Sequence, residues 1–480
     1  MEGSGIMKRR EFIKAAGVIG GTAVAGGRAL AREFHFGKMF PGKKPNILLI
    51  MTDQQSADAM SCRMGKRFIN TPAMDSIAAG GVSFTRAYTP NPLCVPARTS
   101  IFTGQYPHVT GVQTNVDISK TVRAEHRCLG TYFREAGYDT GYLGKWHMPF
   151  PVKETPLHGF EYMDAIKNTG IDADIPSRAA AFIQRKREKP FLLVTSFVNP
   201  HNICEWARDE ELPDGAVGEP PPVEQCPPAV ENLAPMVDET DTMLLMRRSS
   251  QANRLFPVGK FDEKKWRQYR WAYFRMIEKV DTYIGTILDA LRTSGELDNT
   301  VIVFTADHGD MQGAHGWNQK TVLYDGSSSV PLIISAPGTK GARTCDRLVN
   351  TGVDLLPTFC TLAGMPVPSG LPGMSLKASV EKSDVPDPRA YVVVQNKMIQ
   401  GSPVDGQKPE PAGRMVRSKR FKYTVFDFGD RRESLVDMEK DPGEMINLAG
   451  RKEHRQELER HRQYLREWCQ NTNDTFVVPG

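Results

Sequence analysis

The run Ile47-Leu48-Leu49-Ile50-Met51 leads directly into Thr52-Asp53-Gln54. Five apolar residues in a row, without alternation, read as a strand buried on both faces, the habit of parallel sheets covered by helices. Three more stretches read as buried strands and end in polar clusters in the same way. Tyr138 to Leu143 leads into Gly144-Lys145-Trp146-His147, Phe191 to Val198 into Asn199-Pro200-His201, and Val301 to Phe304 into Thr305-Ala306-Asp307-His308-Gly309. In open α/β sheets, ligands bind beyond the carboxyl ends of the strands. All four polar clusters lie at such ends, so Asp53 and Asp307, 254 positions apart, are expected on one rim.

Helical segments fill the gaps. From Lys265 to Gly295 the apolar positions Phe274, Ile277, Val280, Ile284, Leu288 and Leu291 recur every three or four residues, and Gly295 suits a C-terminal cap. Trp266, Tyr269, Trp271 and Tyr273 at its start read as core. A further helix is expected over Pro357 to Ala363, with Asp354 near its start. Residues 203–260 are rich in proline and charge and read as an insertion beside the His201 cluster, either shaping substrate access or acting as a solvated spacer. Lys, Asp and Pro accumulate at 376–389, which suggests a second boundary. Beyond it, Tyr391 to Val394, Met415 to Arg417 and Phe421 to Phe426 read as strands, and Arg451 to Cys469 as a charged helix. The expected organisation is an α/β domain over 45–378, with a large mixed, mostly parallel sheet sandwiched by helices. A smaller α+β subdomain with an antiparallel sheet follows over 389–475.

At 480 residues the chain exceeds one ordinary core, which agrees with a large unit plus a small one. Its formal charge is +5. Residues 1–31 hold Lys8, Arg9, Arg10, Lys14 and Arg28 against Glu2 and Glu11, so +3 sits there and about +2 remains elsewhere. That is no nucleic-acid footprint. Lys8-Arg9-Arg10-Glu11-Phe12-Ile13-Lys14, the small apolar run Ala15 to Ala25, and Ala29-Leu30-Ala31 read as a twin-arginine export signal cleaved after Ala31. The twin-arginine export machinery is then a partner, and the mature protein is expected to be periplasmic or secreted, with no membrane span. Eight cysteines allow disulfides in that compartment, with the pairing left open.

The densest chemistry is Cys94-Val95-Pro96-Ala97-Arg98. It sits between a turn-rich lead-in, Thr89 to Leu93, and helix-like Thr99-Ser100-Ile101-Phe102. Pro96 suits a first helical turn, where its missing N–H would lack a partner anyway. Cys94 then lies near a helix N-terminus, which favours an anion. Arg98, one turn on, brings a fork of donors shaped for a tetrahedral oxyanion. Asp53 and Asp307, each followed by a neutral side chain, Gln54 and His308, suit a divalent cation. Taken singly, each Asp reads as a helix cap and each histidine as a structural hydrogen-bonding residue; taken with Cys94, the metal reading of the aspartates prevails.

The C-x-P-x-R pentapeptide resembles the signature of the type I sulfatases, continued here by Thr99 to Gly104. Asn46 to Gln54 and Thr305 to Asp310 resemble that family's two metal loops. Gly144-Lys145-Trp146-His147, Asn199-Pro200-His201, and Gly313-Ala314-His315-Gly316 with Lys320 match further family segments. Leu435 to Glu444 with Asn447-Leu448 resembles its closing strand, so the likeness spans 46–448 in the family's order. One position departs: many sulfatases have a second aspartate where this chain has Gln54.

The resemblance implies an alkaline-phosphatase-like fold and sulfate monoester hydrolysis, with a sulfated saccharide as expected substrate. It implies conversion of Cys94 to formylglycine by a maturation enzyme, and a metal site of Asp53, Gln54, residue 94, Asp307 and His308 holding Ca2+, with Mn2+ as the alternative. One hydroxyl of the formylglycine hydrate would attack sulfur. Arg98, Lys145 and Lys320 would neutralise charge, His201 with Lys320 would protonate the leaving oxygen, and His147 would deprotonate the second hydroxyl to release sulfate. His315 and Asn115 are candidates for substrate contact, against support and turn roles. The Asp-Gln/Asp-His quartet also resembles phosphonate monoester hydrolases, which keeps a phosphonate or phosphodiester hydrolase open. So does a non-catalytic sulfoglycan-binding protein with unmodified Cys94.

Overall fold

The computed structural model describes residues 43–480 except 121, 124, 167–169, 340, 384 and 409. The export signal expected over 1–31 lies outside the described residues. Eight strands form the main sheet: β1 (Asn46–Asp53), β2 (Val82–Tyr88), β3 (Asp139–Lys145), β4 (Tyr162–Ile166), β5 (Phe191–Pro200), β6 (Thr300–Ala306), β7 (Leu332–Ser335) and β8 (Arg343–Asn350). Their order is β4-β3-β5-β1-β6-β7-β2-β8. The first five in that order run parallel. β7 is antiparallel to both its neighbours, and β2 runs parallel to β8. All four strands expected from apolar runs are present and occupy the centre of the sheet.

Alternate residues of β1 feed two cores. Ile47, Leu49 and Met51 pack with helix α2 (Cys94–Thr103) and helix α5 (Thr351–Leu362). Leu48 and Ile50 pack on the other face with α1 (Pro72–Ala79), α3 (Ile175–Ile183) and the long α4 (Glu263–Thr293). A strand that is apolar at every position therefore has a helical layer on each side, which is why no alternation was visible in it. The Trp266, Tyr269 and Tyr273 side chains of α4 are core residues, as their sequence suggests. α5 starts at Thr351, six residues before the expected Pro357, which lies inside the helix. Pro357 leaves the Val353 carbonyl without its usual donor. Gly373 closes over it so tightly that an added Cβ would fall 1.8 Å from that oxygen.

A second, antiparallel sheet contains β9 (Tyr391–Lys397), β10 (Ala412–Ser418), β11 (Phe421–Phe426) and β12 (Glu433–Asp437). Val393, Val416, Tyr423, Val425 and Leu435 face α6 (Arg455–Thr472) through Leu458, Leu465 and Trp468. The opposite face carries Val392, Val394, Met415 and Phe426, which pack with Met243 and Met246 from the proline-rich stretch 203–260. All eight cysteines are free. Among the described residues, no helix is long and apolar enough to cross a membrane.

The register levels the strand ends that carry the chemistry. Thr52 pairs with Ala306, Asp53 with Pro200, and Gly144 with Ser196. At Gly144 the backbone turns to φ +96, and a Cβ would lie 2.0 Å from the Ser196 carbonyl oxygen. Gly144→Ala is therefore expected to cost about 3 kcal/mol or more, from a clash added to backbone strain. Gly111→Ala, at φ +74 with open space around the added carbon, is expected to cost about 1–2 kcal/mol. Denaturant unfolding of the two variants beside the wild type checks the difference.

Candidate active site

Cys94 is the first residue of α2, preceded by extended Leu93. Pro96 lies within the first turn, where amides have no intrahelical acceptor. The amide of Val95 in that turn donates to Asn115 Oδ1 at 3.0 Å. Asn115 thus secures the start of the helix from a neighbouring 3-10 turn.

Arg98 lies one turn after Cys94 and is fully buried. Its Nε donates to Asp307 Oδ2 at 2.8 Å and its Nη2 to Asp53 Oδ2 at 2.9 Å. Its Nη1 donates to the Lys145 carbonyl at 2.9 Å and to Ser196 Oγ at 2.8 Å. Lys145 Nζ is 2.7 Å from the same Asp53 Oδ2. The cations thus occupy the Oδ2 atom of each aspartate. The Oδ1 atoms point the other way. Asp53 Oδ1 is 3.8 Å and Asp307 Oδ1 3.6 Å from His308 Nε2, and that nitrogen is 3.2 Å from Cys94 Sγ. One donor atom from each of Asp53, Cys94, Asp307 and His308 lies within 4.8 Å of all the others.

This donor set fits a divalent cation. His308 Nδ1 lies 3.0 Å from the Gly309 carbonyl, which can only accept, so the Nε2 lone pair is free to face the cluster. The electrostatics agree. Burial and the Asp53 charge push the Asp307 carboxyl up to about 6. Burial opposes a charge on His308, yet Asp307 and Cys94 raise its pKa above the usual value. Converging anionic atoms that draw protons to one spot describe a position short of positive charge. For Asp53, burial opposes ionisation, but Lys145 and Arg98 help hold the carboxyl well below the usual range. For Cys94, burial and Asp53 oppose ionisation, but Lys320, Lys145 and His308 outweigh them and favour the thiolate.

His147 and His201 both reach the Cys94 side chain. Each keeps a buried Nδ1 without a hydrogen-bond partner. His147 adopts φ +42, a left-handed backbone held by its surroundings. Burial lowers its pKa. His201 is pushed down to about 3 by burial and by the Lys320 and Lys145 charges, so it is neutral. Lys320 Nζ donates to Gln54 Oε1 at 2.8 Å, and Gln54 Nε2 donates to Asp310 Oδ2 at 2.8 Å. Burial opposes the Lys320 charge, but Cys94 and Asp53 raise its pKa.

Ten of the twelve residues singled out in the sequence thus gather around residue 94 or the groups touching it. Asn115 adjoins it through the Val95 amide. His315 is packed elsewhere: it stacks on Tyr324 with ring centroids 4.0 Å apart, and its charged neighbours are Arg247 and Lys422. Three supporting residues were not anticipated. Ser196 holds Arg98. Asp310 holds Gln54. Asp172 accepts from the amides of Val198 at 2.7 Å and Asn199 at 2.8 Å, which fixes the turn carrying His201. Asp310 stands inside the Thr305–Asp310 segment, the one signal that could have revealed it.

The chain matches the sulfatase family model over residues 45–365, and the model for the C-terminal part of N-sulphoglucosamine sulphohydrolase over 313–471. It is 29% identical to a Delta 4,5-hexuronate-2-O-sulfatase of Bacteroides thetaiotaomicron, across 95% of this chain and 93% of that one. It is 32% identical to the uncharacterized sulfatase YidJ of Escherichia coli, across 85% and 83%. The solved structure of a 2-O GAG sulfatase superposes with a TM-score of 0.76 at 26% identity, covering 91% of this chain and 95% of that one. With its pentapeptide at a helix start and its acidic strand tips joined by one arginine, this chain belongs to the type I sulfatases and is a sulfuric ester hydrolase.

Proposed function

We propose that this protein is exported by the twin-arginine route and removes sulfate monoesters from a sulfated saccharide, using a formylglycine made from Cys94 and a calcium ion. The observation that carries this reading is the buried quartet of Asp53, Cys94, Asp307 and His308 with Arg98 behind it. The saccharide assignment draws support from the hexuronate-2-O-sulfatase relative, which is similar along nearly the whole chain. The division into a catalytic domain over 45–378 and a subdomain over 389–475 belongs to the same reading, and the two sheets support it.

Asp53, Asp307, His308 and residue 94 would hold the cation. When bound, it supplies Lewis-acid polarisation of the sulfate group. The hydrated aldehyde would supply two hydroxyls, one as the nucleophile toward sulfur and one whose deprotonation would release sulfate. Serine or cysteine offers only the first. The chain's own groups do the rest. Lys145 and Lys320 offset the single negative charge of the ester and the charge that grows on it. Arg98 favours the charged form of both aspartates and holds them in place. His201 begins neutral because two ammonium groups face it. A bound sulfate adds negative charge there and raises its basicity, which lets His201, with Lys320, hold the proton destined for the leaving oxygen. His147, with its pKa lowered by burial, is suited to take the proton from the second hydroxyl.

A panel of sulfated mono- and oligosaccharides, run beside aryl sulfate and aryl phosphonate esters with calcium and manganese compared, tests the reading. Desulfation of a saccharide at a rate well above phosphonate cleavage is expected; the reverse ranking rejects it in favour of the phosphonate hydrolase. Mass spectrometry of the residue-94 peptide is expected to show loss of the sulfur. A fully retained thiol in active enzyme would contradict the aldehyde. Cys94→Ser is expected to perform one turnover and stall, losing about 10³-fold or more in steady-state rate, as for other nucleophile replacements. Arg98→Lys keeps a charge but cannot span two carboxylates. It is expected to lower kcat by about 10²-fold and stability by about 3 kcal/mol, read from kinetics and denaturant unfolding.

A further inference from the structure

Gln54 occupies the position at which the family resemblance implies a metal ligand, yet its contacts serve something else. Four groups fix the residue. Its amide N–H donates to Asp307 Oδ1 at 3.1 Å, and its carbonyl accepts from Tyr273 Oη at 2.7 Å. Its side-chain Nε2 donates to Asp310 Oδ2 at 2.8 Å. The sulfur of Cys204 is 3.4 Å from that nitrogen. The remaining atom, Oε1, accepts from Lys320 Nζ at 2.8 Å. The backbone stands at φ +68, a conformation an L side chain adopts at a cost, so this orientation is held rather than incidental.

The anchor behind Gln54 is itself fixed. Asp310 accepts from Tyr269 Oη at 3.0 Å and from the Gln312 amide at 2.7 Å. Tyr269 and Tyr273 lie four apart on α4, on one face of a helix buried against the sheet. An Asn or Gln amide has one acceptor and one donor end, and its two ends cannot exchange without losing both partners. With Asp310 taking the donor end, the acceptor end is obliged to face Lys320. All of these side chains are buried.

We infer that Gln54 is a positioning residue for the Lys320 ammonium rather than a ligand of the metal. Asp310, held by Tyr269, orients the side-chain amide, Tyr273 holds the Gln54 main chain, and the amide holds Nζ beside residue 94. The choice of amide matters. A carboxylate at 54 would pair with Lys320 and cancel the charge meant for the sulfate. A neutral acceptor fixes the ammonium and leaves its full charge and two further N–H donors for the substrate. This inference rests on sulfate binding at residue 94, but not on the identity of the sugar.

The test is Gln54→Met, which keeps the length and volume and removes both hydrogen bonds, with Gln54→Asn as a second variant should the first fail to fold. Two quantities are measured on each. One is the affinity of the chelator-stripped protein for calcium, by titration calorimetry. The other is inhibition of the metal-loaded enzyme by inorganic sulfate, together with KM for a sulfate ester. Calcium affinity within about twofold of wild type, with the sulfate inhibition constant and KM both raised about tenfold, is the expected result. Asp310→Asn, which loosens the anchor, is expected to shift the same two constants in the same direction by a smaller factor, again without loss of calcium affinity. A fall in calcium affinity of tenfold or more in Gln54→Met would return the residue to the metal and overturn the inference. So would unchanged sulfate binding. A wild type that ignores inorganic sulfate altogether would instead remove the sulfate-site reading, leaving the calcium titration to decide the role of Gln54.

Discussion

One guanidinium holds the site together. Asp53 and Asp307 leave adjacent parallel strands with their carboxylates side by side, in a place from which water is excluded. Unscreened, they would repel and draw protons. Arg98 takes one oxygen from each at under 3 Å, and Lys145 adds a second charge on Asp53. Exposed ion pairs contribute about 1 kcal/mol or less, whereas leaving one member of a buried pair unmatched costs about 3–5 kcal/mol. The Arg98 network belongs to the second class. Its geometry therefore turns the two Oδ1 atoms toward His308. Because residues 94 and 98 are four apart on one helix, they share a face. The reactive residue and the counter-charge thus move as one body, and α2 needs only a single placement relative to the strand tips.

The centre of the main sheet was legible in the sequence because β1, β5 and β6 carry unbroken apolar runs, Ile47 to Met51, Phe191 to Val194 and Val301 to Phe304. The rest was not, for reasons that can be stated strand by strand. β2 mixes Ser83, Thr85 and Arg86 among its apolar residues, and β8 begins with the half-exposed Arg-Thr-Cys-Asp of an edge. β4 is only partly buried throughout, and β7 has four residues. The alternation of β2 stops after Val82-Ser83-Phe84-Thr85, the apolar run of β7 is three residues long, and neither signal is long enough to mark a strand locally. α5 illustrates the opposite error. Pro357 reads as a helix start, but tertiary closure by Gly373 over the Val353 carbonyl makes an interior proline tolerable.

The site divides in the same way. Residues that end strands or open helices could be placed from sequence, since topology alone brings such ends to one rim. Ser196 lies within a strand that shows nothing but burial, and its partner Arg98 is 98 positions away. Asp172 acts through the backbone of residues 198 and 199, a contact no motif records. Asn115 caps a helix that begins 21 residues earlier, so local capping rules do not reveal it. His315 makes contacts that its segment does not announce. It shares a segment with Lys320, but the backbone takes φ +53 there, and its ring stacks on Tyr324, among the charges of Arg247 and Lys422.

Net charge does not separate a sulfate monoester from a phosphonate monoester or a phosphodiester, because each carries one negative charge. The distinction must come from what surrounds the non-bridging positions. A sulfate presents three equivalent oxygens, while a phosphonate presents two and a carbon substituent that needs apolar walls. The side chains that engage residue 94, namely Asp53, His147, His201 and His308, are all polar, and the charges of Lys145 and Lys320 act on the same atom. Both histidines keep a buried nitrogen that lacks a partner in the free protein. Buried polar atoms left without partners carry a cost that a native fold retains where a ligand completes them. In the proposed reading, that polar lining is what supports a sulfate ester at residue 94 over its phosphorus analogues.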